Sequence, residues 1–259
     1  MLLADKVAIV SGVGPGLGRE LALAFAREGA CVVLGARSAG FIREVADQIT
    51  EAGGTALAVP TNIVESAQCA RLVAAAMGEL GRVDCLVNNA FRMDTMQPFE
   101  EVDLETWRKI VEVNLFGSLQ LTREVVGPMK DNGGGSVVFV NSMIVRKVLP
   151  NQGGYTISKA ALLSAAQVLA KELGPHKIRV NSILPGAMWG PNVELWLKMR
   201  AEEHGTTEQE EYDSMAAEMA LGVIPPDDDV ANAAVFFASD LSRVITGQAL
   251  NVNAGEVFS

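Results

Sequence analysis

The chain has 259 residues, 49% of them hydrophobic, with three cysteines and a formal net charge of -10. That length suits one α/β domain with a large core, and an acidic balance without any run of Lys and Arg argues against nucleic acid as a partner. Every apolar run is broken by Gly, Asn or a charge well short of the roughly 18 residues that a membrane span requires, so no membrane partner is expected either.

The N-terminal MLLADKVAIVSG enters a strand directly, without the basic, apolar and small-residue regions of a secretory signal. Cys31, Cys69 and Cys85 are far apart in apolar surroundings, with neither CxxC nor metal-ligand spacing, and read as reduced packing residues. A cytoplasmic protein without a metal is expected.

The first strand, KVAIVSG, runs into GVGPGLGRELALAFAREGA, where Gly12, Gly16 and Gly18 precede an amphipathic helix. Glycines here allow a sharp turn and a close approach of the backbone to a diphosphate, and the helix N-terminus offers free N–H groups and a partial positive charge. The second strand, CVVLGA, ends at Ala36 and Arg37 rather than at the acid that grips ribose hydroxyls in NAD sites. A guanidinium there suits a 2′-phosphate, so NADP is the expected cofactor, with NAD held through backbone contacts as the alternative.

Five more short apolar runs follow: TALAVPT, VDCLVNN, GSVVFVNS, IRVNSILPG and GQALNVNAG, most of them separated by helical patterns. Because they are continuously apolar instead of alternating, both faces of their sheet must be covered, as in a parallel sheet between helices. No repeat or linker divides the chain, so residues 1–259 form one domain. One connection is too long to be plain, the segment 187–222. It reads as two short helices: Val193, Trp196, Leu197 and Arg200 share a face of the first, and Thr207 with Glu210 forms a capping box ahead of Tyr212, Met215, Ala216 and Met219. As an apolar lid it would bring Met188, Trp189 and Trp196 over the site opposite Met143, Ile144 and Leu149; equally, these side chains could simply pack the lid onto the body.

Within GGYTISKAALLSAAQVLAKEL, residues 153–173, Tyr155 and Lys159 are four apart and so share one face of a helix. The pair alone is a weak signal. Ser142 ends the strand thirteen residues earlier, and Asn114 lies in the helical pattern WRKIVEVNLFGSLQL, where a buried amide needs partners. His176 and His204 lie in a helix-end loop and in the long insertion, so Ser142 has no histidine base and a nucleophilic hydrolase is not indicated.

Together the glycine turn, the NNA at 88–90, Asn114, Ser142, Tyr155, Lys159 and the PG at 185–186 make the chain resemble the short-chain dehydrogenase/reductase family from residue 4 to the C-terminus. The resemblance implies a single-domain, Rossmann-like, doubly wound parallel sheet of about seven strands. It implies Tyr155 as general acid/base, Ser142 orienting the substrate oxygen, Lys159 binding the nicotinamide ribose and lowering the tyrosine pKa, and Asn114 holding a water in a proton relay. It also places Ser11, Gly12, Gly16, Leu17, Gly18, Arg37, Asn62, Ile63, Asn89, Ala90, Pro185, Gly186 and Met188 around the cofactor, together with Tyr155 and Lys159.

For Tyr155 to act as a base near neutrality its pKa must fall from about 10 by about 3 units, or about 4 kcal/mol. An ammonium about 4 Å away at an effective dielectric of about 20 supplies roughly that. The chain departs from the family pattern at Ser11, Asn62, Phe91 and Gly190, where the family has threonine, aspartate, glycine and a carboxamide-binding threonine. The substrate expected is a hydrophobic secondary alcohol or ketone, with reduction of a β-ketoacyl thioester on acyl carrier protein as the rival and a non-catalytic nucleotide sensor as the alternative class. Small and apolar residues on several faces of residues 153–173, among them Ala160, Ala161, Leu163, Ala165, Ala166 and Val168, predict a homotetramer.

Overall fold

A computed structural model describes residues 1–258. Seven strands form one sheet: β1 (Val7–Ser11), β2 (Cys31–Ala36), β3 (Thr55–Pro60), β4 (Cys85–Asn88), β5 (Gly135–Val140), β6 (Ile178–Pro185) and β7 (Ala249–Val252). All pairs are parallel, in the order β3-β2-β1-β4-β5-β6-β7. β1 and β4 are buried along their whole length, whereas β3, at the sheet edge, is at most partly covered. That contrast is why the central strands carry unbroken apolar runs.

On one face lie α1 (Leu17–Arg27) and α2 (Ala39–Glu51); on the other lie α3 (Ser66–Leu80), α4 (Leu104–Val111), α5 (Ser118–Asp131) and α6 (Gly153–Leu173). Two helices, α7 (Pro191–His204) and α8 (Glu208–Ala216), occupy the long connection after β6. The chain then returns to the first face as α9 (Asp227–Ala238), where Val230, Ala234 and Phe237 pack in one core with Leu21 and Phe25 of α1.

Where the sequence suggests one continuous helix around Asn114, the structure has three pieces. A π-helical stretch, Glu112–Gly117, joins α4 to α5. Its wider turn changes which residues face inward, and Asn114 and Gly117 become the buried ones. The start of α6 has its own steric reason. A methyl group on Gly153 or Gly154 would collide with the Trp107 ring, so the two glycines let α4 lie flat against the beginning of α6.

The sheet is anchored at its opposite end by Asp84. Its Oδ2 accepts from the Val7 N–H at 2.9 Å and from Arg82 Nε at 2.8 Å, and its Oδ1 accepts from a second Arg82 nitrogen at 2.6 Å. A buried carboxylate satisfied in this way fixes the registration of β1 against β4, which stay paired through Ser11 and Asn88 at the site end.

Candidate active site

In this strand order the chain winds outward from β1 to one side and from β4 to the other, which leaves a crevice beyond the carboxyl ends of those strands. The β1–α1 turn forms its floor. Gly12 has φ +78°, and a Cβ there would lie 2.3 Å from the Ala90 nitrogen; a Cβ on Gly18 would lie 2.4 Å from the Gly12 carbonyl. Asn89 locks the arrangement by donating from Nδ2 to the Gly12 carbonyl at 2.8 Å. α1 begins after Gly16 without a side-chain cap, so its first N–H groups remain available to an anion in the crevice.

α6 supplies the polar pair expected from its sequence. Lys159 is 3% exposed; its Nζ donates to the Val140 carbonyl at 2.7 Å and lies 5.6 Å from the centroid of the Tyr155 ring. Ser142, two residues beyond Val140, borders the same two cavities as Tyr155. Burial pushes Tyr155 up to about 12, and the Ser142 hydrogen bond opposes this only in part. The same burial brings Lys159 down to about 7. In the free protein the ammonium is directed at the Val140 carbonyl, and desolvation is the largest influence on both groups.

Asn114 is fully buried and held on every side. Its Oδ1 accepts from the Arg92 N–H at 2.6 Å, while Nδ2 donates to the Arg92 carbonyl at 3.1 Å and to Ser158 Oγ at 2.9 Å. Ser158 in turn donates to the Tyr155 carbonyl at 2.7 Å. Both amide donors are therefore used in joining the loop after β4 to α6, and none is left on the side chain for a water. Asp94 of the same loop accepts from the Tyr155 N–H at 3.0 Å, at the N-terminal end of α6.

Three cavities meet here. A cavity of 280 Å³ follows the glycine turn and includes Gly12, Gly16, Leu17, Gly18, Ser142, Tyr155, Lys159, Pro185, Gly186 and Met188. A second, of 780 Å³, is bordered by Ala36, Arg37, Asn62, Ile63, Asn89 and Ala90. The third, of 700 Å³, is largely apolar and contains Phe91, Met143, Ile144, Leu149, Val193 and Trp196 together with Ser142 and Tyr155. Of the residues expected around a cofactor, Ser11 alone borders none of the three: it is fully buried and turns its hydroxyl to the Val87 carbonyl at 3.4 Å. Phe91, 52% exposed, borders all three and meets the Tyr155 ring edge-on, with centroids 6.4 Å apart.

The lid segment divides its aromatic residues between two tasks. Trp196 faces the apolar cavity and carries the Arg200 guanidinium 4.7 Å above its ring. Trp189 instead packs against Tyr212, with centroids 5.0 Å apart, in a small core with Leu197, Ala216, Met219 and Ile224. The capping box of Thr207 and Glu210 forms as the sequence suggests, although α8 ends at Ala216 and Met219 follows it in a turn. Arg200 is paired with Glu211 at 2.9 Å.

Sequence reasoning missed two acids. Asp227 is 8% exposed, donates its N–H to the Trp189 carbonyl at 3.4 Å at the start of α9, and borders the glycine-turn cavity. A Cβ on Gly190 would lie 2.3 Å from its Oδ2, so this carboxyl occupies the space that the family's threonine side chain would need. The run Asp227-Asp228-Asp229 was the available signal, but three acids in the first turn of a helix are ordinary. Glu256, beyond β7, reaches the apolar cavity, and nothing near it in sequence marks it.

The wider comparisons agree with this geometry. A family model described as Enoyl-(Acyl carrier protein) reductase matches residues 12–256. The chain is 35% identical over 260 residues to L-rhamnose 1-dehydrogenase (NAD(P)(+)) of Azotobacter vinelandii, covering 98% of each. It is 32% identical over 255 residues to 7alpha-hydroxysteroid dehydrogenase of Escherichia coli K12, covering 98% of this chain and 95% of that one. A solved structure of a 7 alpha-hydroxysteroid dehydrogenase, complexed with NADH and 7-oxo glycochenodeoxycholic acid, superposes with a TM-score of 0.84 at 31% identity, covering 99% of this chain and 96% of that one.

Asp227 makes stability depend on pH. Burial first, then the charges of Glu20, Asp228 and Glu194, raise its carboxyl from 3.8 to about 6. The folded protein therefore holds this proton more tightly than the unfolded chain, so Asp227 costs nothing below pH about 4 and imposes a growing penalty as pH rises through about 6. Asp227→Asn is expected to raise the thermal midpoint at pH 8, with the gain shrinking as the pH is lowered from 6 toward 4. A gain equal at both ends, or none at pH 8, would overturn the assignment.

Proposed function

The chain belongs to the short-chain dehydrogenase/reductase family of NAD(P)-dependent oxidoreductases, and on that premise we propose that it moves a hydride between NADP and a hydrophobic secondary alcohol or its ketone, with Tyr155 as general acid/base. The observation that carries this reading is the convergence of Tyr155, Lys159 and Ser142 where the glycine-turn cavity opens into an apolar one.

The crevice fits a nicotinamide dinucleotide. Gly12 and Gly18 leave backbone bare where any side chain would collide, as a diphosphate approaching an uncapped helix N-terminus requires. Arg37 borders the second cavity together with Asn62 and Ile63, which supports the first as a partner of the ribose 2′-phosphate and the other two as partners of the adenine. Tyr155 and Lys159 would hold the nicotinamide ribose, with Pro185, Gly186 and Met188 against the ring. Bound there, the nicotinamide supplies or accepts the hydride.

The rest of the chemistry is proton transfer. A phenol at about 12 keeps its proton throughout the neutral range, so the free protein presents Tyr155 in its acid form, ready to protonate the oxygen of a reduced ketone. Ser142, which borders both cavities beside it, orients that oxygen. Alcohol oxidation needs the phenolate, and positive charge brought beside Tyr155 lowers its cost. Asn114, through Ser158 and the Arg92 backbone, acts as a positioning residue for α6 and the loop after β4.

The apolar walls favour a hydrophobic substrate, and the lid helices of residues 187–222 cover it within a single domain. Arg200 is already paired with Glu211, which leaves no free guanidinium there for a carboxylate. Exposed Ile157, Ala160 and Val168 on α6, with Phe116 beside the start of α5, support a homotetramer. The free, mostly buried cysteines suit the cytoplasm: desolvation raises Cys69 and takes Cys85 to about 12, so neither is a reactive thiolate.

Three outcomes are expected. Tyr155→Phe should keep cofactor affinity and lower turnover by at least about 100-fold, and Lys159→Met should weaken cofactor binding as well as turnover. Near wild-type activity in Tyr155→Phe would remove the mechanism. Arg37→Ala should weaken NADP binding by about 1.5–3 kcal/mol while sparing NAD, as isothermal titration would read; equal losses for both, or a wild type that prefers NAD, would count against NADP. Light scattering at micromolar concentration should return four times the chain mass, and a monomeric mass would reject the tetramer.

A further inference from the structure

One charged element in the wall of the apolar cavity has no part in the proton chemistry, the pair Lys147–Glu256. The Glu256 side chain is 6% exposed, and its Oε1 accepts from Lys147 Nζ at 2.9 Å. Its other oxygen, Oε2, is buried with no hydrogen-bond partner. Six buried side-chain polar atoms among the described residues lack a partner, and this is the one belonging to a residue of this cavity. A carboxylate oxygen can accept two hydrogen bonds, and leaving it buried and empty is costly unless something else supplies the donor.

Its location says what that donor could be. The position a Cβ would take on Gly186 is 2.7 Å from Glu256 Oε2 and 3.1 Å from Met143 Sδ. Gly186 borders both the glycine-turn cavity and the apolar one, and Ser142 and Tyr155 belong to both as well. The empty oxygen thus stands beside the join at which the reacting carbon must lie. Beside it is a methionine, the side chain most able to move aside for an incoming group.

We propose that Glu256 is a specificity-determining residue whose Oε2 accepts a hydrogen bond from a second hydroxyl of the substrate, so that the enzyme acts on diols or hydroxyketones with an apolar skeleton in preference to simple alcohols. A neutral donor fits better than an ammonium, because Lys147 already balances Glu256 inside the cavity, and the second acid on Lys147, Glu218, is 63% exposed and screened by solvent. The inference rests on the alcohol/ketone reading of the site.

The test compares kcat/KM for cyclohexanol with the values for the cis and trans cyclohexane-1,2-, 1,3- and 1,4-diols, using NADP and NAD in turn. At least one diol should exceed cyclohexanol by about 10- to 100-fold, the worth of a hydrogen bond to a charged acceptor. Glu256→Gln keeps the shape but must turn its amide oxygen to Lys147 and its NH2 to the cavity, so the ratio of that diol to cyclohexanol should collapse toward one. Cyclohexanol turned over as well as every diol, or a ratio unchanged in Glu256→Gln, overturns the role of Glu256 and leaves the alcohol/ketone reading intact. Turnover of none of these alcohols overturns that reading, and the inference with it. Should the variant fail to fold, the wild-type ratio decides alone.

Discussion

The Lys159 ammonium, buried beneath α6 and bound to the Val140 carbonyl at the end of β5, is the contact on which the arrangement of the site depends. A cation of this kind is tolerated in a protein interior only when a strong acceptor meets it, and even so burial brings it down to about 7. The bond fixes α6 along the sheet, and with that fixed, Tyr155 must lie beside Ser142, because one is a turn of helix before Lys159 and the other two residues after Val140. The same burial that makes Lys159 easy to discharge holds Tyr155 protonated.

Around that contact the polar groups serve alignment more than chemistry. Asn114, Ser158, Asp94 and the Arg92 backbone form a chain of hydrogen bonds running from the π-helical turn to the first turn of α6. A buried network of this kind is costly if half satisfied and rigid when complete, and Asn114 uses its whole side chain to complete it. The opposing tendency is seen at Asp227. A carboxyl placed against the glycine turn and Gly190, near other acids, is disfavoured as an anion and becomes a point where pH acts on the fold.

The segment after β6 shows how a composition that looks uniform separates into distinct environments. Trp189 and Trp196 are seven residues apart, yet one builds the small core that holds α7 and α8 together and the other faces the apolar cavity. Paired charges, Arg200 with Glu211 and Lys147 with Glu256, then place fixed dipoles in an otherwise hydrophobic wall. Such pairs contribute little to stability, since desolvation offsets their attraction.

Much of this protein was determined by the order of its residues alone, because the deciding interactions are local or periodic. Unbroken apolar runs specify strands covered on both faces, glycines at 12, 16 and 18 specify a bare backbone at a helix start, and a spacing of four puts Tyr155 and Lys159 on one face of a helix. The capping box at Thr207 is legible for the same reason. The tertiary structure decided whatever depends on distance across the chain: that Lys159 meets the Val140 carbonyl, that burial raises Tyr155, that Asn114 sits in a widened turn with no free side-chain donor, and that Ser11 turns into the sheet. It also decided that Asp227 fills the space beside Gly190, and that Glu256, 114 positions beyond Ser142 in the sequence numbering, comes to border the same cavity. Burial and the electrostatics that follow from it are set by which elements pack together, and no local pattern carries that information.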